Sequence, residues 1–88
     1  MYIIVVYDIS DIKTQNKVRN YLRRFLNHLQ LSVFEGEVSK SQYKSIELFL
    51  EKITKEKNLS VIVFKIRDQS KVFTKIFGKM KDKRNIIV

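Results

Sequence analysis

An α+β domain, with helices laid on one side of an antiparallel sheet, is predicted by three features of this 88-residue sequence. Two almost uninterrupted apolar runs, one at the start and one late in the chain, have the length and β-branched content of buried strands. Two segments between them carry apolar residues at helical spacing. A short alternating stretch, broken by a glycine, separates those two segments.

The first run is Met1-Tyr2-Ile3-Ile4-Val5-Val6-Tyr7. It reads as a central strand covered on both faces. Asp8 stands at its C-terminal end, where the backbone leaves the sheet and where chemistry tends to collect in folds of this class. Ser10 or Asp11 can then accept hydrogen bonds from the free amides of a helix start. Val18, Tyr21, Leu22, Phe25, Leu26 and Leu29 recur at intervals of three and four, which predicts an amphipathic helix over about residues 12–28. Its other face carries Lys17, Arg19, Asn20, Arg23, Arg24, Asn27 and His28, a positive stripe without an acid.

Leu29–Phe34 alternates imperfectly, Glu35-Gly36 interrupts, and Glu37-Val38 resumes. A glycine in such a pattern marks either a turn between two strands near Glu35-Gly36 or a kink in one strand. Ser39 followed by Gln42 matches a capping box. Tyr43, Ile46, Phe49, Leu50 and Ile53 predict a second helix to about residue 55, with a nearly neutral outer face. Ser60–Ile66 is a strand. Arg67–Ser70 is turn-like, and residues 71–77 suit either a helical turn or a short strand, stopped at Gly78. Lys79, Lys81, Lys83 and Arg84 form a cationic segment. Ile86, Ile87 and Val88 then make an apolar terminus that should pair with something, since ordinary termini are polar and fray.

The order is strand, helix, strand, strand, helix, strand, which is the ferredoxin-like βαββαβ plan. One domain over residues 1–88 is expected, with a core at 1–78 and a basic segment and C-terminal strand at 79–88. Two helices cover one sheet face only. The apolar character of the outer strands calls for cover on the other face, which a homodimer would supply, with the C-terminal strand packing on the partner subunit.

Composition narrows the function. Lys and Arg number 18 against 9 Asp and Glu, a net charge of +9. That excess on one small domain points to a polyanion, with nucleic acid the first candidate and an anionic membrane surface the second. Cysteine is absent, so disulfides and thiolate metal sites are excluded, in keeping with a cytoplasmic location. No apolar run approaches the roughly 18 residues of a membrane span. The opening run lacks a preceding basic region, so it is not read as a signal peptide.

The opening MYIIVVYDIS and the segment Gln30-Leu31-Ser32-Val33-Phe34-Glu35-Gly36-Glu37-Val38 resemble the CRISPR-associated protein 2 family, the latter its Q-x-S-V-F-x-G signature. VIVFKI followed by Arg67 and a short apolar C-terminus is similar too. The resemblance implies a homodimer that bridges dimers of the CRISPR integrase and holds duplex DNA during spacer acquisition. Some members are metal-dependent endonucleases on RNA or DNA, with a strand-end aspartate holding magnesium near the dimer axis. Asp8 takes that position, as both metal ligand and catalytic residue. Lys17 falls where members often carry a basic residue. Phe34 is the signature phenylalanine, and it is expected with Ile86, Ile87 and Val88 at the dimer interface.

From the residues alone, Asp8 is either a turn acceptor or a ligand for Mg2+, which takes oxygen donors and keeps several waters. Asp11 is a helix cap first. His28, the single histidine, is read as a surface or capping residue at a helix end. Tyr7 is read as core. Lys17, Arg19, Arg23, Arg24, Lys79, Lys81, Lys83 and Arg84 are the candidate contacts to backbone phosphates, in duplex DNA or single-stranded RNA. The alternative is a virulence-associated toxin-like endoribonuclease of the same fold. An RNA-recognition module lacks support, because Glu35–Val38 offers no aromatic stacking platform.

Overall fold

In a computed structural model, which describes residues 1–78, four antiparallel strands form one sheet in the order β2-β3-β1-β4. The strands are β1 (Tyr2–Asp8), β2 (Asn27–Gln30), β3 (Val33–Glu37) and β4 (Ser60–Ile66). Helix α1 (Ile12–Leu22) joins β1 to β2, and α2 (Lys40–Glu56) joins β3 to β4. This is the ferredoxin-like arrangement expected from the sequence.

The opening run becomes the central strand. Val5 pairs with Phe34 on one side and Val63 on the other. Successive side chains of a strand point to opposite faces, and β1 shows it. Ile3, Val5 and Tyr7 join Val18, Leu22, Leu26, Phe34, Ile46, Leu50 and Ile53 in the core beneath the helices. Tyr21 of α1 stacks on Phe49 of α2 with ring centroids 3.9 Å apart, so the helices are fastened to each other as well. Both predicted caps form. Asp11 accepts from the Thr14 amide at 3.1 Å, and the Ser39–Gln42 capping box is complete, with Gln42 N donating to Ser39 Oγ at 3.1 Å.

The region between the helices differs from expectation. Helix α1 ends at Leu22 rather than near residue 28. Its last turn tightens: the Arg24 and Phe25 amides reach back three residues to Tyr21 and Leu22, and Leu26 reaches back four. Phe25 and Leu26 therefore stay on the core side after the helix has stopped, which is why the apolar spacing runs on past its end. The turn between β2 and β3 lies at Leu31-Ser32, where Leu31 has a positive φ of 32°. Gly36 sits inside β3, not in a turn. A Cβ there would lie 3.2 Å from Leu26 Cδ2, so the glycine lets the incoming chain lie close on the sheet.

Beyond β4 a single 3₁₀ turn (Gln69–Lys71) leads into residues 72–78 without regular structure. The helical or strand reading of 71–77 is thereby replaced by that turn and an irregular segment. The phosphate contacts expected of Lys79, Lys81, Lys83 and Arg84, and the interface expected of Ile86, Ile87 and Val88, lie outside the described residues. Among the described residues, no helix is long and apolar enough to cross a membrane.

Candidate functional site

The strand register places Asp8 on the sheet face opposite the helices. On that face β1 and β4 pair Tyr2 with Ile66, Ile4 with Phe64, Val6 with Ile62 and Asp8 with Ser60. Alternation makes this a ladder of three apolar rungs ended by a polar one. Ile62 and Phe64 are 54% and 52% exposed, and Asp8 is exposed as well. The carboxylate thus stands at the rim of an apolar strip that the subunit's own helices do not cover.

Asp8 is uncommitted in this setting. The ion pairs among the described residues are Met1 with Glu37 and Lys44 with Glu47, neither of which involves it. Asp11, the nearest other acid in sequence, is engaged with Thr14 through the amide and the hydroxyl. Those bonds hold its carboxyl below the usual carboxylate range, with lesser help from Lys57 and Lys13. It is a cap, as read from the sequence. Among the described residues, no three of His, Asp and Glu gather closely enough to hold a metal ion. At this strand end the described residues therefore offer one unengaged carboxylate, a donor set that suits magnesium only as part of a site, since that ion retains waters and needs one or two carboxylates.

Phe34, expected at the dimer interface, has no exposed surface in the single subunit. It is fully buried in its own subunit, stacked on Tyr7 at 6.2 Å and on His28 at 4.4 Å. The signature phenylalanine is a core residue because its β3 position pairs with Val5 on the helix side.

The predicted cationic stripe is divided. Lys17 is exposed on α1, and Arg19 is half-buried one turn before the helix end. Arg23 caps the helix C-terminus and Arg24 lies in the following turn, so neither belongs to the helix proper. Arg24 rests its guanidinium on the Tyr21 and Phe25 rings, at 5.2 and 5.4 Å from their centroids. Arg19 donates to Asn16 Oδ1, and Arg23 Nη2 reaches His28; both charges are felt at Tyr7. Their charges oppose the burial that pushes the Tyr7 phenol above its ordinary range.

His28 is the residue that sequence reasoning misplaced. It lies on β2, not at a helix end. Nε2 is 2.7 Å from the Leu31 carbonyl oxygen and Nδ1 is 3.1 Å from Arg23 Nη2. The Tyr7 hydroxyl donates to the same Leu31 carbonyl at 3.4 Å. The one sequence signal for this was the polar Asn27-His28 pair, which interrupts the apolar spacing between Leu26 and Leu29.

Glu35 adds a pH dependence. It faces away from the helices, opposite Ile4, and is buried. Desolvation raises its pKa above the ordinary 4.5. An acid with a raised folded-state pKa loses stability as pH climbs from its unfolded value through its folded value, and stays penalised above that. Glu35→Gln is therefore expected to raise the melting temperature at pH 7 and to change it little at pH 4. Thermal unfolding at both values checks this, and an equal shift at the two would assign the gain to something other than ionisation.

A family model described as CRISPR associated protein Cas2 matches residues 1–73. A protein named CRISPR-associated endoribonuclease Cas2 from Methanothermobacter thermautotrophicus is 36% identical over 88 residues, covering 100% of this chain and 96% of its own. One of the same name from Pyrococcus furiosus is 48% identical over 67 residues, covering 76% of this chain and 78% of its own. A crystal structure of cas2 superposes with a TM-score of 0.81 at 34% identity, over 100% of this chain and 98% of that one. A hypothetical protein from Thermus thermophilus shares the fold, with a TM-score of 0.71 at 20% identity over 90% of this chain and 92% of that one.

Proposed function

This chain belongs to the CRISPR associated protein Cas2 family, and from that membership we propose that it is a homodimeric nucleic-acid-binding protein of CRISPR adaptation that also acts as a magnesium-dependent endonuclease. The observation that carries the reading is Asp8, free and exposed at the end of the apolar ladder. A second copy packed on that ladder would bury Ile62 and Phe64 and bring a second Asp8 toward the first. Two carboxylates at close range repel, and a shared cation relieves the repulsion.

In the dimer each Asp8 would give carboxylate oxygens to one magnesium ion. When bound, that ion supplies activation of water and screening of phosphoryl charge. The chain's own residues do the rest. The apolar strip excludes bulk water from around the carboxylates. Lys17, Arg19 and Arg23 hold the nucleic-acid backbone by its phosphates, without regard to sequence. The relatives' name, endoribonuclease, makes RNA the first substrate to test for cleavage. Duplex DNA is the ligand in adaptation, where the dimer bridges two integrase dimers.

Purified protein is expected to cleave RNA or DNA with magnesium and to stop in EDTA. Duplex DNA should bind tightly at low salt and weaken steeply as salt rises. The integrase should co-purify. Cleavage that persists unchanged in EDTA would remove magnesium from the reading. A protein that ignored duplex DNA at low salt and never bound the integrase would remove the adaptation role.

A further inference from the structure

We propose that Arg19, Arg23 and His28 form a proton-linked site for a backbone phosphodiester at the β2 edge of the sheet. The inference rests on the nucleic-acid-binding reading above and adds to it a specific subsite and a titrating residue.

The tautomer of His28 follows from its partners. A carbonyl oxygen only accepts, so Nε2, 2.7 Å from the Leu31 oxygen, carries a hydrogen. A guanidinium only donates, so Nδ1, 3.1 Å from Arg23 Nη2, is the bare nitrogen of a neutral ring. The ring lies parallel to Phe34, at an interplanar angle of 9°, so its orientation is fixed by a core residue. Neutral His28 therefore holds Arg23 by its lone pair.

Protonation reverses that contact. Nδ1 gains a hydrogen and faces a guanidinium that is always charged. Two donors of like charge at 3.1 Å repel. An anion set between them would accept from both and restore the arrangement. Among the described residues, no acid is placed to do this. Helix α1, the turn after it and β2 contain no Asp or Glu at all. On β3, Glu35 faces the other side of the sheet. On β1, Asp8 does so too, and Tyr7 faces the site with a neutral hydroxyl that donates to the Leu31 carbonyl. Arg19, whose guanidinium donates to Asn16 Oδ1 on α1, adds a second positive charge felt at Tyr7. A phosphodiester oxygen has the charge and the acceptor capacity to bridge Nδ1–H and Arg23. Binding such a group draws a proton onto His28, and acid strengthens binding in return.

The test uses the full-length protein and a short fluorescent DNA duplex at fixed salt between pH 5.5 and 8. Wild-type affinity should rise as pH falls, approaching about tenfold per pH unit if one proton is taken up. His28→Gln, whose amide can still donate to Leu31 but does not titrate, should bind with the pH slope abolished. Arg23→Gln should weaken binding at every pH and reduce the salt slope by about one. Because His28 is the only histidine, its ring resonance can be followed by NMR, and duplex DNA should move its titration to higher pH. The same pH slope in His28→Gln as in wild type, or an unmoved His28 titration with DNA bound, would overturn the subsite while leaving nucleic-acid binding standing. Failure of the wild type to bind duplex at any of these pH values would overturn both.

Discussion

Replacement of Asp8 by alanine is expected to reduce cleavage by more than about a hundredfold, while leaving the fold, the dimer and duplex binding unchanged. Loss of even an outer-shell partner of a metal costs about 10–100-fold, and Asp8 is proposed as a direct ligand. The fold should survive because the side chain is exposed and bonded to nothing the sheet depends on. The phosphate contacts should survive because Arg19 and Arg23 lie on the opposite, helix-covered side of the sheet. A mixed-dimer experiment sharpens the expectation. If the two Asp8 carboxylates form one site, activity of randomly mixed wild-type and Asp8→Ala subunits falls as the square of the wild-type fraction. A linear fall would mean that each subunit works alone. Cleavage unchanged in the pure variant would assign the activity to another protein in the preparation.

Phe34→Ala is expected to destabilise the subunit strongly. The side chain is fully buried between Tyr7 and His28, at the β3 position facing Val5. Truncating such a phenylalanine costs about 3–5 kcal/mol, part lost transfer energy and part cavity. A domain of this size holds roughly 4–13 kcal/mol in total. The melting temperature should therefore drop by at least about 12 °C, measured by circular dichroism at fixed protein concentration. Phe34→Leu, which keeps most of the volume, should recover more than half of the loss. A drop of only a few degrees for alanine would contradict the placement of Phe34 in the subunit's own core.

The elements most readily read from the sequence are those whose pattern runs unbroken from one end to the other. β1 is apolar on both faces up to Asp8, the one facing the helices and the other forming the ladder with β4, and α2 announces itself through the Ser39–Gln42 box. The segment between α1 and β3 resisted for a physical reason. Phe25 and Leu26 serve the same core whether the backbone under them is helical or turning, so spacing alone does not reveal where α1 stops. Gly36 looked like a turn glycine because its actual task, admitting Leu26 close to the sheet, involves a residue ten positions away. The real turn uses Leu31, a residue with no turn preference, held by the hydrogen bonds that His28 and Tyr7 direct at its carbonyl. Of the candidate site, Asp8 was legible because a carboxylate ending an apolar strand stands out. His28 was not, since its meaning depends on Phe34 and Arg23, which only the folded chain brings to it.

The two borders of the sheet are unlike, and this bears on how large an assembly can grow. β2 is four residues long and irregular between His28 and Gln30, so it makes a poor template for another chain. β4 runs seven residues in regular pairing with β1, and no other described strand lies along its second border. A protein with two good borders could string copies end to end without limit. With only one, a strand added there would finish the assembly, which would favour a closed pair of fixed size over a filament.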